Sequence, residues 1–219
     1  MNVPPYHSLE QGIISLLFFT GTSNLWEGNV EGEWERKRET LEHYDRLALI
    51  YDSLYGEEQS IKIGLALRNL KVKNGDLLLD IGCGTGILME FVMPIIKHYV
   101  GLDLAKKTLK VAAERSRRLK VKSKVSLIRA DADHLPFRSG SFSIIFALTL
   151  LQNMPEPSRT LVEILRVAKE KSQIVITGLK KNFTKKEFDE LVCRIWRDHT
   201  FFEAPGSKDF IVVIKVKDK

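Results

Sequence analysis

The apolar positions change period near residue 75. Before it, Leu41, Tyr44, Leu47, Ala48, Tyr51 and Leu54–Tyr55 recur at spacings of three and four, which predicts a helical region over residues 39–70, with a second helix at roughly 58–70. After it, short apolar runs alternate with amphipathic ones. Leu77–Ile81 is continuously apolar until Asp80, as expected of a strand covered on both faces of a parallel sheet. Further strands are predicted at Tyr99–Leu102, Lys124–Arg129, Ser143–Leu148 and Gln173–Thr177. Helices are expected at 86–97, ended or kinked by Pro94, and at 105–119. Another begins at Pro157 and runs to about Ala168. Thr184 and Glu187 have capping-box spacing for a helix reaching about His199. The run DFIVVIKVK at 209–217 alternates as a last strand with one more exposed face, and Thr200–Glu203 pairs with it through a Pro205–Gly206 turn.

This order predicts an α/β fold: a doubly wound, mostly parallel, seven-stranded sheet with helices on both faces and an antiparallel last strand. Residues 1–38 read as an extension with little periodicity, holding Trp26 and Trp34, two of three tryptophans. Residues 39–70 then form a helical lid and 75–219 the core. The one strongly apolar N-terminal run, GIISLLFFT at 12–20, is too short to span a bilayer and has no preceding Lys or Arg of a signal peptide. It is expected to pack on the domain or on a partner.

The chemistry is concentrated at residues 77–90, LLLDIGCGTGILME. A dinucleotide turn has G-x-G-x-x-G and no carboxylate at the strand end. Here the spacing is D-x-G-x-G-x-G, with Asp80, Gly82, Gly84 and Gly86. A carboxylate at that position repels a pyrophosphate and favours a cationic amine. S-adenosylmethionine carries an amine and a sulfonium and no phosphate. The next strand ends at Asp103, about twenty residues on, where an acid takes ribose hydroxyls. The following strand ends at Asp131, placed to accept from an adenine amino group, with the Ala132 N–H near a ring nitrogen. Three acids at successive strand ends fall on one edge of a parallel sheet, where ligands bind in open α/β folds.

These motifs resemble the Rossmann-like (class I) S-adenosylmethionine-dependent methyltransferases over residues 40–217. DIGCGTG at 80–86 corresponds to the family's most specific motif, and GLDL at 101–104, DADHLPF at 131–137 and SFSIIFALTLLQNM at 141–154 to the next three. YDRLALIYDSLYG at 44–56 resembles the helix before the core in the type-11 branch that includes quinone-biosynthesis methyltransferases. The resemblance implies that Asp80, Gly82, Cys83, Gly84, Gly86, Asp103, Leu104, Asp131, Ala132 and Ala147 form the cofactor site, with Tyr44 and Tyr51 lining it. Ala105 stands where the family often has Ser or Thr, and Thr149 is the only polar side chain ending the fourth strand.

Methyl transfer needs alignment more than acid–base help, and alignment alone supplies about 7–11 kcal/mol. His134, Thr149 and Tyr44 are the candidate catalytic side chains. The place after the fourth strand reads ALTLL, without the Asn/Asp-Pro-Pro-aromatic run of amide and base-nitrogen methyltransferases. NVPPY at 2–6 lies at the wrong end of the chain and reads as a rigid lead. Neither Cys83 nor Cys193 sits where a 5-methylcytosine nucleophile would.

Net charge is +6 with an isoelectric point near 9.2, compatible with RNA without requiring it. The segment 106–124 has nine Lys/Arg against one Glu, and Lys180, Lys181, Lys185 and Lys186 add to the basic surface. The expected acceptor is a small molecule under the N-terminal lid, the alternative an RNA, and a third reading a cofactor-binding subunit that needs a small activating partner or a homodimer. Two cysteines and no CxxC or HxxxH pair point to a reducing cytoplasm and no metal site.

Overall fold

The computed structural model describes residues 30–203 and 205–217. Two helices, α1 (Val30–Leu47) and α2 (Tyr51–Arg68), precede β1 (Leu77–Ile81), α3 (Met89–Val92), β2 (His98–Asp103) and α4 (Lys106–Arg118). Then come β3 (Val125–Arg129), β4 (Phe142–Ala147), α5 (Pro157–Val167), β5 (Ala168–Leu179), α6 (Lys185–Cys193), β6 (Thr200–Phe202) and β7 (Asp209–Lys215). The seven strands form one sheet in the order β3-β2-β1-β4-β5-β7-β6. The first five are mutually parallel, and β7 runs antiparallel to both β5 and β6. This is the predicted architecture, and the chain order reverses beside β1, at the β1/β4 boundary.

The buried stretches of the strands are mostly apolar because successive residues feed opposite layers. Leu79, Ile145, Ile174, Ile176 and Val212 pack into one core with α5 and α6. Leu78, Ile144, Phe146, Val175 and Ile211 pack into the other with α2, α3 and α4. For β7 the exposed face expected from the sequence does not exist. Asp209 to Ile214 are all buried, because both faces of β7 are covered, Phe210, Val212 and Ile214 packing into one core and Ile211 and Val213 into the other.

Three helices differ from their predicted lengths. Over 86–97 only one α-helical turn forms. Glu90 N–H donates to Ile87 O and Phe91 N–H to Leu88 O, tighter i→i−3 bonds, before Pro94 ends the segment. Helix α6 has the predicted capping box, with Thr184 Oγ1 accepting from Glu187 N at 3.2 Å and Glu187 Oε2 from Thr184 N at 2.8 Å, but it stops at Cys193. The N-terminal helix begins at Val30, so the predicted boundary at 38/39 falls inside α1. The Trp26 and GIISLLFFT readings lie outside the described residues. Among the described residues no helix is long and apolar enough to cross a membrane.

Candidate functional site

The turn after β1 is built by left-handed glycines. Gly82, Gly84 and Gly86 have φ of 71°, 53° and 76°, a region that other residues occupy only with strain. Gly82 and Cys83 donate their N–H groups to Leu102 O at the end of β2, which ties the turn to the neighbouring strand. A Cβ on Gly84 would meet nothing within 4 Å, whereas one on Gly86 would strike Met89 Cε at 2.1 Å. Gly84 is therefore the glycine that opens onto space, and Gly86 the one that packs against the core.

That space is a narrow cavity of about 110 Å³. Of the sequence-predicted residues, Tyr44, Tyr51, Gly82, Gly84, Asp103, Leu104, Asp131, Ala132 and Thr149 line it. Asp103 Oδ2 accepts from Gly84 N at 2.7 Å and its Oδ1 from Ala105 N at 2.8 Å. Burial pushes the Asp103 carboxyl up, against the pull of those backbone N–H groups. Each carboxylate oxygen still has a second acceptor direction available. With Ala105 at the N-cap of α4, the Lys107 N–H that a Ser or Thr there could hold donates instead to Asp45 Oδ1 of α1 at 2.7 Å.

Four of the predicted cofactor residues line neither this cavity nor the wider one beside it. Asp80 is only 3 % exposed and lies beneath the turn, where it accepts from Tyr99 Oη at 2.5 Å. It is not positioned to meet a ligand amine directly. Burial raises its pKa to about 7; Tyr99 opposes the shift and Asp103 adds to it. Cys83 is buried, its thiol pushed up by burial, and a Cβ on Gly101 would meet its sulfur at 3.0 Å. Ala147 is fully buried in the core on the α5/α6 side, and Gly86 packs as described. Of the candidate catalytic groups, His134 is exposed and away from both cavities, so it has no geometry for a base.

Asp131 is not free to receive a ligand alone. Lys37 of α1 reaches it at 2.7 Å and reaches Asp133 at the same distance, with Lys37 itself 7 % exposed. Asp133 also accepts from Thr160 Oγ1 at 2.5 Å. Asp52, at the start of α2, accepts from Thr85 Oγ1 at 2.6 Å and pairs with Arg115, whose Nε donates to Thr85 O at 2.9 Å. Arg115 also pairs with Glu90. Part of the basic segment 106–124 is thus spent inside the molecule, holding the glycine turn.

A second, wider cavity of about 950 Å³ adjoins the first. The two share Thr40, Tyr44, Tyr51, Thr149 and Asn153. Tyr44 Oη accepts from Asn153 Nδ2 at 3.1 Å, and burial pushes the Tyr44 and Tyr51 phenols up. The rings of Tyr44, Tyr51 and Tyr55 follow one another, with centroids 6.1 and 5.0 Å apart. Thr149 stands at the junction with φ of 53°, a left-handed conformation unusual for a β-branched residue. Its N–H donates to Thr177 Oγ1 at 2.7 Å, and its hydroxyl accepts from Lys62 at 2.7 Å. Lys62, fully buried, pairs with Asp209 at 2.6 Å and with Glu58 at 3.2 Å.

The sequence reading missed Lys37, Lys62, Asp209 and Asn153. Lys62 had a signal, a lone charge inside the apolar run IKIGLAL. Lys37 had none, being one of several charges in ERKRE. Among the described residues one group has metal-ligand spacing, Asp189, Cys193 and His199; His199 Nε2 is 2.8 Å from Asp189 Oδ1, and the trio shares no residue with either cavity.

Residues 79–176 match a methyltransferase domain family, Methyltransf_11. The chain is 35 % identical to a demethylmenaquinone methyltransferase of Lactobacillus johnsonii over 50 % of this chain and 46 % of that protein. It is 32 % identical to a malonyl-[acyl-carrier protein] O-methyltransferase of Marinomonas over 66 % and 53 %. The chain spans about half the length of these curated relatives. A solved structure of a Methanococcus maripaludis protein, described as a putative S-adenosyl-L-methionine-dependent methyltransferase, superposes with a TM-score of 0.68 at 13 % identity. It covers 91 % of this chain and 99 % of its own, and at that identity it speaks to the fold alone. Residues 79–176 thus match a methyltransferase domain, and the fold that carries them is shared with that solved structure.

Proposed function

We propose that this protein transfers a methyl group from S-adenosylmethionine to a small molecule bound in the wider cavity. The observation that carries the reading is the continuity of the two cavities: the glycine-turn pocket opens onto a larger, tyrosine-walled space through Tyr44, Tyr51, Thr149 and Asn153. When bound, S-adenosylmethionine supplies an already activated methyl group on its sulfonium.

The chain's residues fit that group. Gly84 lets the backbone approach it without side-chain obstruction, and a Cβ on Gly82 would crowd Leu150 on the same cavity wall. Asp103, already fixed by two backbone N–H groups, offers acceptors to a ribose diol. Asp131 and Ala132 would hold the adenine edge, with Lys37 fixing the Asp131 carboxylate. Tyr44, Tyr51 and Asn153 would exclude water at the junction and orient the acceptor, which is what an in-line displacement requires. The relatives are named for demethylmenaquinone and for malonyl-[acyl-carrier protein], neither of them a nucleic acid. They support a small-molecule acceptor over RNA, as does the internal use of Arg115 in the basic helix.

The test uses methyl-tritiated S-adenosylmethionine, the purified full chain and a fractionated extract from cells lacking the gene. Label in the small organic fraction is the expected result. Nuclease-sensitive label would overturn the small-molecule reading in favour of RNA.

A further inference from the structure

Asp189, Cys193 and His199 lie apart from both cavities, and their ligand atoms are all within 4.8 Å of one another. Asp189 and Cys193 are four residues apart on α6, so they share one face of the helix. His199 stands on the turn that leads from α6 to β6 and reaches back to Asp189.

The imidazole is oriented as a metal ligand is. Its Nδ1 is 3.1 Å from Trp196 O. A carbonyl oxygen only accepts, so Nδ1 carries a proton and donates it. In the neutral ring, Nε2 is then a bare lone pair. It lies 2.8 Å from Asp189 Oδ1, which is itself an acceptor. Two acceptors this close repel unless a positive centre stands with them, either a second ring proton or a metal cation. A backbone carbonyl holding the far nitrogen is the usual support of a metal-bound histidine.

The third group decides between the two. An imidazolium–carboxylate pair has no use for a thiol. Cys193 is a free, half-buried cysteine at the same place. Thiolate sulfur, imidazole nitrogen and carboxylate oxygen are the three ligand types of zinc, and three of them leave a fourth tetrahedral position to water. There is an entry path, since the His199 side chain is 7 % exposed but that of Asp189 is 48 % exposed. Zinc bonds of about 2.0–2.1 Å in a tetrahedron hold nitrogen and oxygen about 3.3 Å apart, so the half-exposed carboxylate need move only about half an ångström. The neighbouring charges do not close the place to a cation. Asp198 pairs with Lys217, and Lys186 with Glu190 at 3.8 Å, while Arg194 and Arg197 are exposed to water, which screens them.

From this we infer that Asp189, Cys193 and His199 bind a zinc ion, and that the ion staples the end of α6 to the turn before the edge strand β6. The spacing Asp189-x3-Cys193-x5-His199 has neither a CxxC nor an HxxxH pair, so the sequence alone gives no sign of it. Helix α6 begins three residues after Asn182 of the wider cavity, and Cys193 is at its other end, about 12 Å along the axis. The ion therefore acts on stability, and the inference stands independently of the proposed function.

The test is titration of the full chain, first freed of metal by a chelator, with Co²⁺, which occupies zinc sites and absorbs light where Zn²⁺ does not. A sulfur-to-cobalt charge-transfer band and tetrahedral d–d bands should saturate at one equivalent, and Zn²⁺ should displace them. Zn²⁺ should also raise the melting temperature of the wild type, whereas Mg²⁺, which prefers oxygen ligands in an octahedron, should not. Cys193→Ser should lose the charge-transfer band. Asp189→Asn keeps a contact to His199 through its amide, so it should keep the band and bind Co²⁺ at least about tenfold more weakly. Melting of each variant in chelator separates misfolding from loss of the ion. No charge-transfer band in the wild type would reduce the trio to an ion pair with an idle thiol and overturn the inference. A band that survives in Cys193→Ser would put the metal on another sulfur, and unchanged affinity in Asp189→Asn would remove the carboxylate from the site; either result would overturn it as well.

Discussion

The three acids at the strand ends have the same chemistry and three different jobs, set by their partners. Asp103 faces the narrow cavity, Asp131 is held by Lys37, and Asp80 lies under the turn against Tyr99. Replacing Asp103 with Ala removes two loop contacts and the ribose acceptors. Cofactor binding should weaken by about tenfold to a hundredfold, the worth of one bond to a charged group of about 1.5–3 kcal/mol. Calorimetry giving an unchanged affinity would refute the assignment. Asp80 makes a pH prediction. Its folded pKa is about 7, above its ordinary value of 3.8, so the folded state holds the proton more tightly than the unfolded chain. Below pH of about 4 both states are protonated and the group costs nothing; as pH rises toward 7 the folded state is progressively penalised. Asp80→Asn lacks that penalty while still accepting from Tyr99. Its melting temperature relative to wild type should rise between about pH 4 and 7 and level off above. A difference that is flat or falls across this window would contradict the burial account.

At the scale of elements, α1 and α2 form a wall of both cavities, pinned by single charges: the buried Lys37 to Asp131 and Asp133, the exposed Asp52 to Thr85 and the buried Arg115, and the buried Lys62 to Asp209. Breaking one side of such a pair is worse than never having it, because the remaining charge stays buried. Lys37→Met strands two carboxylates and should cost about 3–5 kcal/mol. Hydrogen exchange should show faster exchange across residues 30–47, together with weaker cofactor binding. Protection equal to wild type would mean that α1 is held by something else. This wall was only partly legible in the sequence. Its second half has apolar residues at helical spacing, but VEGEWERKR at 30–38 is nearly all polar, and what it buries is a charge rather than an apolar stripe. Hydrophobic periodicity has no signal for that.

Across the whole molecule, the sheet was legible because continuous apolar strands and amphipathic helices alternate, and a covered parallel sheet leaves no other reading. The glycine turn was legible for the same reason that it works, since successive left-handed positions demand glycine. The buried place of β7 was not legible. Alternation in DFIVVIKVK reads as a strand with one exposed face, whereas the order β5-β7-β6 pairs both its edges and the two cores cover both its faces. The wider cavity was not legible either, because its polar residues come from α1, α2, the segments after β4 and β5 and the start of β7, far apart in sequence.

The central claim is that S-adenosylmethionine sits on the glycine turn. Its most direct test is calorimetric titration of the full chain with S-adenosylmethionine, beside the Gly84→Val variant. Valine there projects into open space and takes on a left-handed φ of 53°, at a cost of about 1–3 kcal/mol that leaves the fold standing. The account predicts one site in the wild type and none in the folded variant. Equal binding by both proteins would put the ligand elsewhere and contradict it.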